Sequence, residues 1–121
     1  MTEPLALIVG NRVVPQTQLL NRLQELGYRV QSISSANALV EQAEQIRPMV
    51  VLADLEPGIA VCRELNRLRT SPTTSHVPII AFAGDEATSE EARKTGVNLV
   101  VSEAAVLAHL PQFLDQALQV D

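Results

Sequence analysis

Residues 49–58 read Met49-Val50-Val51-Leu52-Ala53-Asp54-Leu55-Glu56-Pro57-Gly58. Five apolar residues run without alternation into a single carboxylate, and Pro57-Gly58 then turns the chain. An unbroken apolar run of this length predicts a strand buried on both faces, as in a parallel sheet. An aspartate that closes such a strand lies at its carboxyl end, where open α/β sheets place their sites. The fold and the site both follow from what surrounds Asp54.

Upstream, Leu5-Ala6-Leu7-Ile8-Val9 is a second unbroken run, ended by Gly10 and Asn11. Pro15 fits the first turn of a helix, where its missing N–H costs nothing. Leu19, Leu23 and Leu26 recur at i, i+4, i+7, Leu20 widens the stripe, and Gly27 is placed to end the helix. Tyr28 to Ile33 alternates and predicts an edge strand. Ser34 and Ser35 are candidate N-caps for a helix carrying Leu39, Ala43 and Ile46, which Pro48 closes.

Downstream, Val61, Leu65 and Leu68 form a third stripe, and residues 70–76 are a polar loop. Val77 to Ala83 contains a fourth strand. Thr88-x-x-Glu91 has the form of a capping box and predicts a short fourth helix whose only apolar residues are Ala87 and Ala92. Leu99-Val100-Val101 is a fifth strand, and Pro111 opens a last helix with Leu110, Leu114, Ala117 and Leu118 on one face. The pattern is (βα)₅. Short connections and right-handed crossovers predict a flavodoxin-like, doubly wound parallel sheet of order 2-1-3-4-5.

The composition narrows function mostly by exclusion. The chain has 121 residues, enough for one domain spanning 1–121, and 46% are hydrophobic. The net charge is −5 and no basic run is present, which argues against nucleic acid as a partner. Tyr28, Phe82 and Phe113 are the only aromatic residues, so base-stacking platforms are also absent. The longest apolar run, Val77 to Ala83, is too short to span a bilayer, and no secretory signal opens the chain. The single cysteine, Cys62, rules out an internal disulfide and suits the cytoplasm.

Four segments carry a resemblance. Residues 5–30 (LALIVGNRVVPQTQLLNRLQELGYRV), 48–58 (PMVVLADLEPG), 68–84 (LRTSPTTSHVPIIAFAG) and 95–104 (TGVNLVVSEA) resemble the receiver domains of bacterial two-component response regulators. The likeness covers essentially the whole chain. It includes Gly27-Tyr28 and the Pro72-Thr73-Thr74-x-His76-x-Pro78 lead into the fourth strand.

The resemblance implies that a histidine kinase would phosphorylate Asp54. That chemistry needs an acidic pair after the first strand to help hold Mg²⁺, because a hard cation takes carboxylate oxygens and offsets phosphoryl charge. Gly10 and Asn11 stand there instead. A hydroxyl residue is expected at the end of the fourth strand, where Ala83 stands. A lysine is expected after the fifth, where Glu103 stands, followed by Ala104 in place of the usual proline. The loop after Asp54 is also about one residue short. Only the acceptor aspartate remains, the pattern of an atypical or pseudo-receiver. The resemblance then implies a stand-alone protein-interaction module with no cofactor and no enzymatic activity, bound to another signalling protein, with homodimerisation as a further option.

Asp54 itself admits two roles, a phosphoacceptor or a retained structural carboxylate; the losses around it favour the second. Arg12, in the same loop as Gly10 and Asn11, is placed to pair with Asp54 in lieu of a cation. Asp54, Glu56 and Glu103 as a new metal site is disfavoured, since the spacing matches no dedicated metal motif. A small-molecule site at the carboxyl ends of the strands also stays open. Gly10 is followed by neither a dinucleotide fingerprint nor a P-loop. His76 and His109 are expected as loop or surface residues, and Cys62 as a small apolar one. Val13 and Val14 either pack or leave apolar surface beside Asp54. The candidate partner face comprises the fourth helix, fifth strand and following helix, with Ala92, Val100, Val106 and Leu107; the uncharged run Ala104 to Ala108 either leaves an exposed apolar patch there or covers the sheet edge with Val106 and Leu107.

Overall fold

The computed structural model describes residues 4–10, 12–35, 38–56 and 59–118. The strands are β1 (Leu5–Val9), β2 (Arg29–Ile33), β3 (Val50–Asp54), β4 (Ile79–Phe82) and β5 (Leu99–Val101). The helices are α1 (Val13–Glu25), α2 (Leu39–Ile46), α3 (Ile59–Thr70), α4 (Glu86–Lys94), α5 (Glu103–Ala108) and α6 (Leu110–Leu118). All strands are parallel, in the order β2-β1-β3-β4-β5 that the alternation predicts.

The period-2 alternation of strand side chains sorts the apolar runs into two cores. Leu7, Val9, Val51, Ala53, Ile79 and Ala81 face α2, α3 and α4, where they meet Leu39, Ala43, Leu65, Leu68 and Ala92. Ala6, Ile8, Val50, Leu52, Ile80 and Phe82 face α1, α5 and α6, and meet Leu19, Leu23, Val106, Leu110 and Leu114. Every residue of β3 is buried, which explains why it shows no alternation. Asp54 has the parity of Val50 and Leu52, so it belongs to the side of the sheet that carries α1 and α5.

Helix ends follow local chemistry. α1 closes in a Schellman motif: the Tyr28 N–H reaches the Leu23 carbonyl at 2.9 Å, the Gly27 N–H reaches Gln24 at 3.0 Å, and Gly27 takes φ +89°. Three expectations need correction. Leu26 is 42% exposed and leaves the α1 stripe, because the chain is already turning there. α2 begins at Leu39 behind Ala38, with no side-chain cap, so Ser34 and Ser35 do not serve that role. α4 is capped by Asp85, whose carboxylate accepts the Thr88 N–H at 2.8 Å; Thr88 lies inside the first turn and is buried. The turn expected at Pro57-Gly58 lies outside the described residues.

The segment after β5 was expected as a connection and is instead a helix. Ser102 caps it by accepting the Ala105 N–H at 3.0 Å. It stops at His109 because Pro111 has no N–H to offer the Leu107 carbonyl. The last helical unit is thus two short pieces, α5 and α6.

Candidate functional site

β3 delivers Asp54 to the carboxyl edge of the sheet with its side chain fully buried. Arg12 lies just before α1 and turns its guanidinium onto that carboxylate. Nε donates to Oδ2 at 2.8 Å and Nη2 donates to Oδ1 at 3.0 Å, a two-pronged pair. The same Nη2 donates to Glu103 Oε1 at 2.7 Å. The Glu56 N–H closes the ring by donating to Asp54 Oδ1 at 2.9 Å. One guanidinium therefore links three connections of the fold: β1 to α1, β3 to α3, and β5 to α5. Both carboxylates, the Asp54 bond first, raise the Arg12 pKa above its ordinary value, so the cation is permanent. The pairing of Arg12 with Asp54 is as the sequence suggests; the added bond to Glu103 is not legible there.

The surroundings are shaped by small residues. A Cβ at Gly10 would lie 2.8 Å from Asp54 Cβ and 3.4 Å from Oδ2, so β1 and β3 approach here only because position 10 lacks a side chain. The Gly10 carbonyl accepts the Gln16 side-chain amide. Ala83 ends β4 with φ +67°, a left-handed conformation that a residue with a Cβ adopts at a cost. Gly84 backs onto the buried Leu55, and a Cβ there would lie 2.8 Å from Leu55 Cδ1. Gln16, Gly84 and the Glu56 N–H carried no sequence signal, because each matters only through a contact that the folded backbone creates. Asn11 lies outside the described residues.

These residues do not fit a magnesium ion. Mg²⁺ demands near-octahedral oxygen ligands and usually takes one or two carboxylates. Here position 10 has neither a carboxylate nor room for one, and the Asp54 oxygens already accept three hydrogen bonds. Among the described residues, no group of three or more His, Cys, Asp and Glu side chains could hold a metal ion. Glu56 is exposed.

The remaining candidates fall into place individually. Cys62 is buried; its thiol faces the Thr88 carbonyl at 3.6 Å, and desolvation raises its pKa, keeping it protonated and inert. His109 stacks edge-on against Phe113, with ring centroids 6.5 Å apart, and His76 is an exposed loop residue at the opposite end of the sheet. Val14 is 67% exposed beside Arg12; the Val13 side chain lies outside the described set. The candidate partner face needs correction. Val106 and Ala92 are fully buried, because α5 turns Val106 into the core beside Phe82 and α4 docks through Ala92. Leu107 and Val100 are half-buried, and they alone of the four offer surface. Among the described residues no helix is long and apolar enough to cross a membrane.

No family model matches this chain, and no curated protein matches it in sequence. Solved structures do. The receiver domain of the sensor histidine kinase PA1611 from Pseudomonas aeruginosa, with a magnesium ion coordinated in its active-site cleft, superposes with TM-score 0.86 at 25% identity, over 97% of this chain and 98% of that one. A protein described as a response regulator from Chloroflexus aurantiacus gives TM-score 0.86 at 23% identity over the same shares. The chemotaxis protein CheY4 of Vibrio cholerae gives 0.83 at 15%, covering 96% of this chain and 99% of that one. The fold of this chain is that of receiver domains.

Proposed function

We propose that this chain is a pseudo-receiver: a protein-interaction module of two-component signalling that works without phosphorylation of Asp54 and catalyses no reaction of its own. The observation that carries this is the two-pronged Arg12–Asp54 pair. A phosphoacceptor carboxylate must present a free oxygen to the incoming phosphorus, with a cation to offset the charge that develops. In this chain a tethered guanidinium covers both Asp54 oxygens. Glu103 stands where a phosphoryl group would need a cation, and it adds a negative charge. Ala83 supplies no hydroxyl.

Partner capture then depends on shape. Leu107 and Val100, which lie on opposite sides of the sheet at its β5 edge, and the polar outer side of α4 are the candidate contacts for a second signalling protein or a second copy of this chain. The absence of a basic run speaks against nucleic acid. Amide NMR in the presence of Mg²⁺ with beryllofluoride or acetyl phosphate tests the proposal. Unchanged Asp54-centred resonances are expected. Saturable shifts around Asp54 would overturn it in favour of an acceptor that works despite Arg12.

A further inference from the structure

The end of the sheet opposite Asp54 holds a cavity of about 260 Å³ lined by Ala43, Arg47, Pro48, Thr73, His76 and Val77. It lies between the segments that enter β3 and β4. An arginine, a histidine and Thr73 line the same space, beside buried Ala43, Pro48 and Val77. The acidic residue closest in sequence, Glu44, has its Oε2 engaged by the Ser71 hydroxyl at 2.8 Å. The five ion pairs found among the described residues include neither Arg47 nor His76.

Arg47 is also held at a cost. It follows α2 with φ +49° and ψ +65°, the left-handed conformation that normally selects glycine or asparagine at a helix end. Its N–H makes the closing bond to the Ala43 carbonyl at 2.9 Å, which any residue with an N–H would make equally well. The backbone therefore gives no reason for arginine at this position. Strain retained where a better-suited residue exists points to a use for the side chain.

We propose that this cavity binds a phosphate group, with Arg47 as its principal ligand and His76 and Thr73 as accompanying donors. A guanidinium presents the planar fork that matches phosphate oxygens, and a threonine hydroxyl donates to the same kind of acceptor. The buried Ala43, Pro48 and Val77 would contact the organic part of a phosphate monoester. The volume lies just under the range typical of drug-sized ligands, which selects a small molecule. This site is independent of Asp54 and of the pseudo-receiver assignment.

The test is an amide NMR titration of the full chain at fixed pH and ionic strength, with inorganic phosphate in one arm and glycerol 3-phosphate in the other. Saturable shifts at Arg47, Thr73 and His76, with a Kd of about 1 mM or tighter for at least one probe, are expected. Tighter binding of the monoester identifies an organic phosphate as the ligand, and equal binding identifies phosphate alone. Arg47→Gly separates binding from folding. It relieves the left-handed strain, so its melting temperature should rise while affinity falls at least tenfold. Arg47→Lys keeps the charge without the fork and should fall between. Shifts that stay linear with concentration, shifts confined to the Asp54 end, or an Arg47→Gly protein that binds as well as wild type would each overturn the proposal.

Discussion

Replacing Arg12 by alanine removes the one cation that, among the described residues, reaches the fully buried Asp54 carboxylate. Breaking a buried ion pair from one side costs about 3–5 kcal/mol when nothing replaces the lost partner. Two features reduce that here. The Arg12 side chain is 31% exposed, so water enters when it is truncated, and the Glu56 N–H still serves Asp54 Oδ1. The expected loss is about 2–3 kcal/mol. With a urea m-value of about 1–3 kcal/mol/M, the unfolding midpoint falls by roughly 0.7–3 M. Asp54→Ala should cost less, about 1–2 kcal/mol, because it strands a guanidinium that keeps Glu103 and solvent rather than a buried anion. The double variant should be more stable than the sum of the single losses implies, since each change removes the charge the other strands. Urea denaturation of the four proteins completes the cycle. Losses that add within about 0.5 kcal/mol, or an Arg12→Ala protein as stable as wild type, would refute the view that Arg12 and Asp54 act as one unit.

Four other outcomes follow from single positions. Ala83→Gly should stabilise the fold by about 0.5–1 kcal/mol, by relieving φ +67° at the end of β4, as read from the thermal midpoint. Gly10→Ala should destabilise it by about 1–3 kcal/mol, since the new Cβ would sit 2.8 Å from Asp54 Cβ; calorimetry measures the loss. The Asp85 carboxyl is held below its ordinary pKa of 3.8, first by the Thr88 N–H and then by the Thr88 side chain. Its capping contribution is therefore complete above pH 3.8 and fades as pH falls through the lower folded value, so the gap in urea midpoint between wild type and Asp85→Ala should narrow on acidification below that point. Val106→Asp buries an unpaired charge and should unfold the domain by circular dichroism, whereas Leu107→Asp should keep the fold and weaken partner capture or self-association.

The central strands were legible because a strand covered on both faces reads as an unbroken apolar run, as Val50 to Ala53 and Ile79 to Phe82 do, and the order followed from their alternation with helices. α1 and α3 were legible because their stripes are long enough to repeat. α5 was not: six residues give no full repeat, and its start depends on Ser102 meeting one N–H. At the site, the identities at Gly10, Ala83 and Glu103 already showed a carboxylate without an acidic pair, a hydroxyl or a lysine beside it, and the charge logic of Arg12 beside a lone aspartate anticipated their pairing. The sequence could not say that Glu103 shares the same guanidinium, since the two are brought together only across β1, β3 and β4. Nor could it say which apolar residues of 104–108 turn inward, so a surface and a core role for Val106 stood equally open, and the structure buries it.

The 2.8 Å approach between position 10 and Asp54 Cβ bears on how this protein can change over generations. In a lineage carrying this backbone, an acidic residue at position 10 would first have to force β1 and β3 apart, since its Cβ would meet that of Asp54. A substitution that separates the strand ends would have to come first. Nor does removing Arg12 clear the way, since it leaves the contact between the strand ends as close as before. The geometry of one glycine thus sets the order in which changes at this site could come.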